Sequence, residues 1–107
     1  MKQPKPPKPN QPPQGYSGNI NLMTRPLFRN RDGSISTVRS MSVNMDGKEV
    51  LLPTIGMKNG RPAQLTDDEA IQQYIATGKH LGKFATPEQA TKMAEMIHNH
   101  QKLYYGY

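Results

Sequence analysis

The sequence predicts a small α+β domain behind an extended, proline-rich N-terminal arm. Tight-turn dipeptides between apolar runs come first, two capped helical stretches come last, and a segment crowded with proline precedes both. Strand signals followed by helix signals, rather than alternating with them, point to an antiparallel β-meander or hairpins and not to a parallel sheet. Two α-helices are then expected to pack on one sheet face. A chain of 107 residues supports one domain. With the arm set aside, about 85 to 90 residues fold and bury roughly 60 to 65 percent of the surface their unfolded chain exposes.

Residues 1–18 form the expected arm. They hold Pro4, Pro6, Pro7, Pro9, Pro12 and Pro13, three lysines, and Tyr16 as the sole large apolar group. Proline fixes φ and removes backbone donors, so the segment favours polyproline II and cannot nucleate a core. Two roles remain open: a flexible leader, or an extended peptide that docks in a partner's groove at low entropic cost. On the second role, those six prolines and Tyr16 are the candidate contacts.

Residues 19–105 read as the folded domain. In "RPLFRNRDGSIS", Asp32-Gly33 separates Leu27-Phe28 from the run beginning at Ile35, and in "NMDGKEV", Asp46-Gly47 separates Met41–Val43 from Val50–Leu52. Asp-Gly favours the positive-φ turns that match strand twist. A two-residue turn at Asp46-Gly47 sets Val43 opposite Val50 and Met41 opposite Leu52, giving one apolar face with Ser42, Asn44, Glu49 and Leu51 on the other. Pro53 puts this strand at a sheet edge or ends it there. Arg39 shares a face with Thr54, towards the rim. "MKNGRP" supplies a further turn or short hairpin.

From Thr66 the period changes. "LTDDEA" is a capping box, with Thr66 as N-cap, Glu69 at the third helical position, and Asp67 and Asp68 where the helix dipole favours negative charge. The first helix runs through Ile71, Tyr74 and Ile75 towards Gly78. In "ATPEQA", Thr86 caps, Pro87 suits the first helical position and Gln89 can close the box. Ala90, Met93, Ala94, Ile97 and Tyr104 then fall near one stripe expected to face the sheet.

Chemistry-bearing patterns are sparse. The cluster Asp67, Asp68 and Glu69 is accounted for by the helix start. "HNH" at residues 98–100 shares only letters with a nuclease element, and His98 and His100, two apart on a helix, are expected to be solvated. His80 falls in the inter-helix loop as a structural residue. "GKHLGKF" lacks the spacing and preceding strand of a phosphate cradle. These readings give no enzyme, no catalytic residues, no cofactor and no metal. The absence of cysteine excludes disulfide staples and thiolate metal sites. No apolar run approaches the roughly 18 residues of a membrane span. The N-terminus lacks the apolar region of a secretory signal, so the expected site of synthesis and default compartment is the cytoplasm. The net charge is +6, divided between Lys2, Lys5 and Lys8 of the arm and an excess of eleven Lys/Arg over eight Asp/Glu in the rest. A mild positive balance of this kind suits solubility or a protein partner, and nucleic acid less well. The terminal "KLYYGY", with residues 106–107 as a short tail, adds Tyr105 and Tyr107 as candidate partner contacts, since exposed tyrosines are effective interface anchors. Seven methionines suit irregular contacts as well as cores.

The stretches "DGSISTVRSMS" (residues 32–42), "GKEVLLPT" (47–54) and "TGKHLGKFATPEQA" (77–90) carry a resemblance that extends from Gly18 to about Tyr105. The chain resembles a module that recurs in tailed-bacteriophage virion proteins, embedded there in long internal-virion, tail or polyvalent proteins. The resemblance implies a non-enzymatic structural or interaction component of a phage particle, made in the host cytoplasm and located in the virion. Its implied partners are portal, tail or internal proteins and further copies of itself. Here the module stands alone behind its arm, so activities of neighbouring domains do not carry over. Two other readings fit the size and charge. One is a small basic nucleic-acid-binding protein whose lysines track phosphates while tyrosines stack on bases. The other is an inhibitor of a host enzyme.

Overall fold

In the computed structural model, which describes residues 11–106, two successive positive-φ residues close the central hairpin. Asp46 lies at 52° and Gly47 at 80°, the two-residue turn whose twist matches its strands. The turn locks β3 (Ser40–Met45) against β4 (Lys48–Pro53), with Met41 opposite Leu52 and Val43 opposite Val50. This is the register expected from the sequence. Pro53 is the last residue of β4, at a position whose N–H would point away from β3, and the next residue, Thr54, still donates its N–H to the Arg39 carbonyl at 2.6 Å.

Two further hairpins flank this one. β1 (Phe28–Arg29) and β2 (Ile35–Ser36) are joined by a wider loop in which Gly33 takes φ 87° and donates its N–H to the Asn30 carbonyl at 3.0 Å. β5 (Ile55–Lys58) and β6 (Arg61–Gln64) repeat the tight turn at Asn59 and Gly60, φ 52° and 76°. Then come α1 (Asp67–Thr77), β7 (Gly82–Phe84) and α2 (Pro87–Tyr105). The capping box of α1 is complete: the Thr66 hydroxyl accepts from Glu69 N–H at 3.2 Å, and the Glu69 carboxylate accepts from Thr66 N–H at 2.8 Å. On α2, Thr86 accepts from Gln89 N–H. Gln89 reaches past the cap to accept from Ala85 N–H at 3.1 Å, so the reciprocal bond falls one residue earlier than expected.

β7 was not evident from the sequence, which reads as loop between the helices. It pairs antiparallel with β4, Val50 opposite Lys83 and Leu51 opposite Gly82, and makes β4 the central strand of the order β3-β4-β7. The α+β class and the order of hairpins before helices agree with the sequence reading.

The distribution of helices is finer than that reading. Leu51 joins the main core with Ile20, Leu22, Val38, Leu81 and the α2 residues Ala90, Met93 and Ile97. Side chains alternate along a strand, so Val50 and Leu52 turn to the other face. There Lys83, the cross-strand partner of Val50, lies 5.9 Å from the Tyr74 ring of α1. The helices therefore divide between the two faces of this sheet instead of sharing one, because β7 carries the chain along the sheet edge between them. Val50, Leu51 and Leu52 are all at most 2% exposed, so the face of β4 that carries Leu51, opposite the apolar face read from the sequence, is buried as well.

Truncating Leu51→Ala is expected to remove about 3 kcal/mol from a total of roughly 5 to 10. The readout is the urea midpoint, and a midpoint unchanged from wild type would contradict a strand covered on both faces.

Candidate functional site

The arm meets the domain at Tyr16. Its N–H donates to the Pro13 carbonyl at 3.0 Å, turning the chain, and its hydroxyl donates to the Ile20 carbonyl at 2.8 Å. The ring packs against the main core. Burial pushes the phenol above its ordinary pKa, with the Ile20 hydrogen bond and Arg25 acting in the opposite sense. Tyr16 is thus committed to its own domain. Pro12 is exposed and Pro13 half-buried beside it. Pro4, Pro6, Pro7 and Pro9, with Tyr107, lie outside the described residues.

Gly18 and Asn19 complete the attachment. A Cβ on Gly18 would stand 2.6 Å from the Leu81 carbonyl carbon and 2.7 Å from the His80 carbonyl oxygen, so only glycine permits this approach. Asn19 donates its N–H to the His80 carbonyl at 3.0 Å, accepts from His80 N–H at 2.8 Å, and donates its side-chain amide to the Gly78 carbonyl at 3.0 Å. The root of the arm is stitched to the loop between α1 and β7. Lys79 and Lys83 are exposed on that loop and strand.

The end of α2 is tied to the same N-terminal segment. Tyr105, expected to stand free, is half-buried, and its hydroxyl accepts from Arg25 N–H at 2.7 Å. The Arg25 guanidinium donates to the carbonyls of Thr37 at 3.1 Å and Ile55 at 2.6 Å. Burial lowers the Arg25 pKa, partly countered by Tyr105 and Tyr16; a guanidinium stays charged regardless. One turn back on α2, the fully buried Gln101 accepts from the Thr37 hydroxyl at 2.7 Å and donates to the Leu22 carbonyl at 2.7 Å. Tyr16 and Tyr105 thus grip the two ends of one short run, Ile20 to Arg25, and Gln101 holds its middle.

His98 is exposed as expected, whereas His100 is buried at 8% exposure. The turn of α2 that carries Gln101 inward carries His100 with it. The His100 Nδ1 lies 3.2 Å from the Gln101 amide nitrogen, and its ring runs parallel to Tyr104 at 6.1 Å. Tyr104, expected in the buried stripe, sits at the surface instead. Gln101 continues the stripe in its place.

Among the described residues no group of three or more His, Asp or Glu is placed to hold a metal ion, and no helix is long and apolar enough to cross a membrane. Asp67 and Asp68 are exposed in the first turn of α1. Glu69 adds an ion pair with Lys58, and the hydrogen bond from Lys58, then that from Thr66, holds its carboxyl below the ordinary range. Arg39 stays at the surface, binding Asn30, Ser36 and Gln64 side-chain oxygens across three hairpins. His80 stands edge-on to Tyr74 at 6.2 Å with its Nδ1 buried and unpartnered among the described residues. Burial, then Lys83, lowers its pKa below 6.5.

No protein-family model, curated protein or solved structure matches the chain.

Gln101→Leu is expected to cost about 2 to 4 kcal/mol, because the Leu22 carbonyl loses its side-chain donor and the Thr37 hydroxyl an acceptor in a buried setting. Chemical denaturation measures the loss, and a variant as stable as wild type would mean that the network contributes nothing net. His80 has its own signature in pH. A histidine whose folded pKa is depressed contributes fully above its unfolded pKa of 6.5 and loses that contribution as pH falls through the folded value. The thermal midpoint of wild type should therefore fall more steeply than that of His80→Gln on going below pH 6.5; parallel curves would contradict this assignment.

Proposed function

We propose that this protein is a non-enzymatic interaction component of a tailed-phage particle, carrying an extended arm to a neighbouring virion protein from a fixed root on its domain. The observation that supports this most is the attachment at Tyr16, Gly18 and Asn19. A peptide that leaves a rigid scaffold at a defined point loses less entropy on docking than one tethered through a mobile linker. The side chains that would draw attention in an enzyme are engaged in folding: Glu69 in a helix cap, Arg25 in carbonyl bonds, Gln101 and His100 in the α2 joint. The resemblance to phage virion modules supplies the setting, with portal, tail or internal proteins as the partners.

A nucleic-acid reading draws on one observation, the placement of Lys79 and Lys83 beside the root of a lysine-bearing arm. Phosphate binding through the three arm lysines alone would give a log-log salt slope of about −2 to −3 on DNA.

Mass spectrometry of gradient-purified particles from the source phage is expected to find the protein at a fixed ratio to the major capsid protein. Deleting residues 2–12 should abolish incorporation while leaving the thermal midpoint of the isolated protein unchanged, since Pro13 and Tyr16 remain. Absence of the full-length protein from particles would overturn the proposal. Incorporation that survives loss of the arm would assign docking to the domain alone.

A further inference from the structure

Ser42 and Asn44 carry the outward-facing backbone groups of β3. In a two-residue hairpin the closing pair exchanges both backbone hydrogen bonds. Met45–Lys48, Val43–Val50 and Met41–Leu52 are therefore the bonded pairs of the observed register, and the N–H and C=O of Ser42 and Asn44 point away from β4. The sheet order leaves β3 at an edge. Among the described residues, no backbone hydrogen bond from another segment reaches Ser42 or Asn44.

This edge lacks the usual protection. β3 reads SMSVNM, six residues with no charge, proline or glycine, where edge strands are ordinarily blunted by charges, proline, bulges or shortness. The opposite edge of the same sheet is guarded: β7 has three residues, carries Lys83, and begins at Gly82 with φ 144°.

We propose that β3 pairs antiparallel with β3 of a second copy of this chain, about a two-fold axis through Val43, joining two three-stranded sheets into one. The register follows from self-complementarity. With Val43 opposite Val43, each Ser42 lies opposite the second copy's Asn44, and the two pairs exchange about four backbone hydrogen bonds through the outward groups. Met41 lies opposite the second copy's Met45. Met41, Val43 and Met45, each half-buried in the single copy, form one continuous apolar stripe, while the exposed Ser42 and Asn44 meet on the other face. A slip by one residue sets methionine against serine and asparagine. Charge favours the antiparallel direction. It sets exposed Asp46 at the end of one strand opposite Ser40 of the second copy, one position along from exposed Arg39, twice, whereas parallel pairing places the two Asp46 side by side. Nothing in this pairing depends on the particle assignment.

Sedimentation of the full-length protein over a concentration series to about 1 mM tests it. The expected result is a concentration-dependent species of twice the 12.0 kDa chain mass. Asn44→Pro removes only an outward donor and is tolerated at an edge; the variant should sediment as a monomer with an unchanged thermal midpoint. Hydrogen exchange gives a second readout that needs no variant. The Ser42 and Asn44 amides should be protected in concentrated wild type and exchange freely on dilution. Ser42→Lys should abolish both effects even if Asn44→Pro does not fold. A wild-type monomer throughout the series overturns the proposal. So does a dimer whose Ser42 and Asn44 amides exchange freely, or protection that appears only when a different protein supplies the strand.

Discussion

The amide of Gln101 lies completely out of solvent between the Thr37 hydroxyl and the Leu22 carbonyl, and that contact joins three segments far apart in the chain. It fastens α2 at once to the loop preceding β3 and to the N-terminal run that carries Ile20 and Leu22 into the main core. A single neutral hydrogen bond contributes only about 1 kcal/mol, but a buried carbonyl or hydroxyl left without its partner costs roughly 1 to 3. The joint therefore acts more by penalising other arrangements than by adding stability. Arg25 extends the same logic. Its guanidinium reaches the Thr37 and Ile55 carbonyls while Tyr105 satisfies its backbone N–H, so three hairpins and the last turn of α2 are held in mutual position by groups that have few other places to go.

β4 supplies the apolar counterpart. Three successive residues buried on alternating faces are what a central strand covered on both sides requires, and in so small a domain this doubles the use of one short segment. Leu51 serves the α2 side, whereas Val50 and Leu52 serve the α1 side. β7 makes the arrangement feasible by giving β4 a second neighbour and by bringing Leu81 into the core directly beside it, its N–H donating to the Leu51 carbonyl at 2.8 Å.

What could be read in the sequence was local. Asp46-Gly47 and Asn59-Gly60 dictate their turns through backbone sterics within four residues, and the Met41–Leu52 register follows directly. Thr66 with Glu69 and Thr86 with Pro87 announce their helices through bonds that span three positions. What escaped depends on partners far along the chain. Gly82-Lys83-Phe84 is too short and too polar to show a strand period, and becomes a strand only because β4 offers an edge. Gln101 and His100 look like solvent-facing residues by type, and only the fold reveals that their turn of α2 meets Leu22 and Thr37. Tyr105 looked free for the same reason, since its hydrogen-bond donor is 80 positions away. Of the candidate contacts, the arm is a reading from composition alone, and the inward commitment of Tyr16 needed the Ile20 carbonyl and the core beneath the ring to be visible.

The stitching of residues 16–25 to residues 78–82 and 100–105 also sets a timetable. Each hairpin can close on its own as soon as it is synthesised, in about 1 to 10 μs, but the run that contributes Ile20 and Leu22 lacks Leu81 beside it and its bonds to Gln101 and Tyr105 until β7 and then the last turns of α2 exist. Contacts of such sequence separation slow folding. During synthesis the β3–β4 hairpin thus waits with Leu51 uncovered by α2, and a segment made before the hairpins is among the last to be fully fastened.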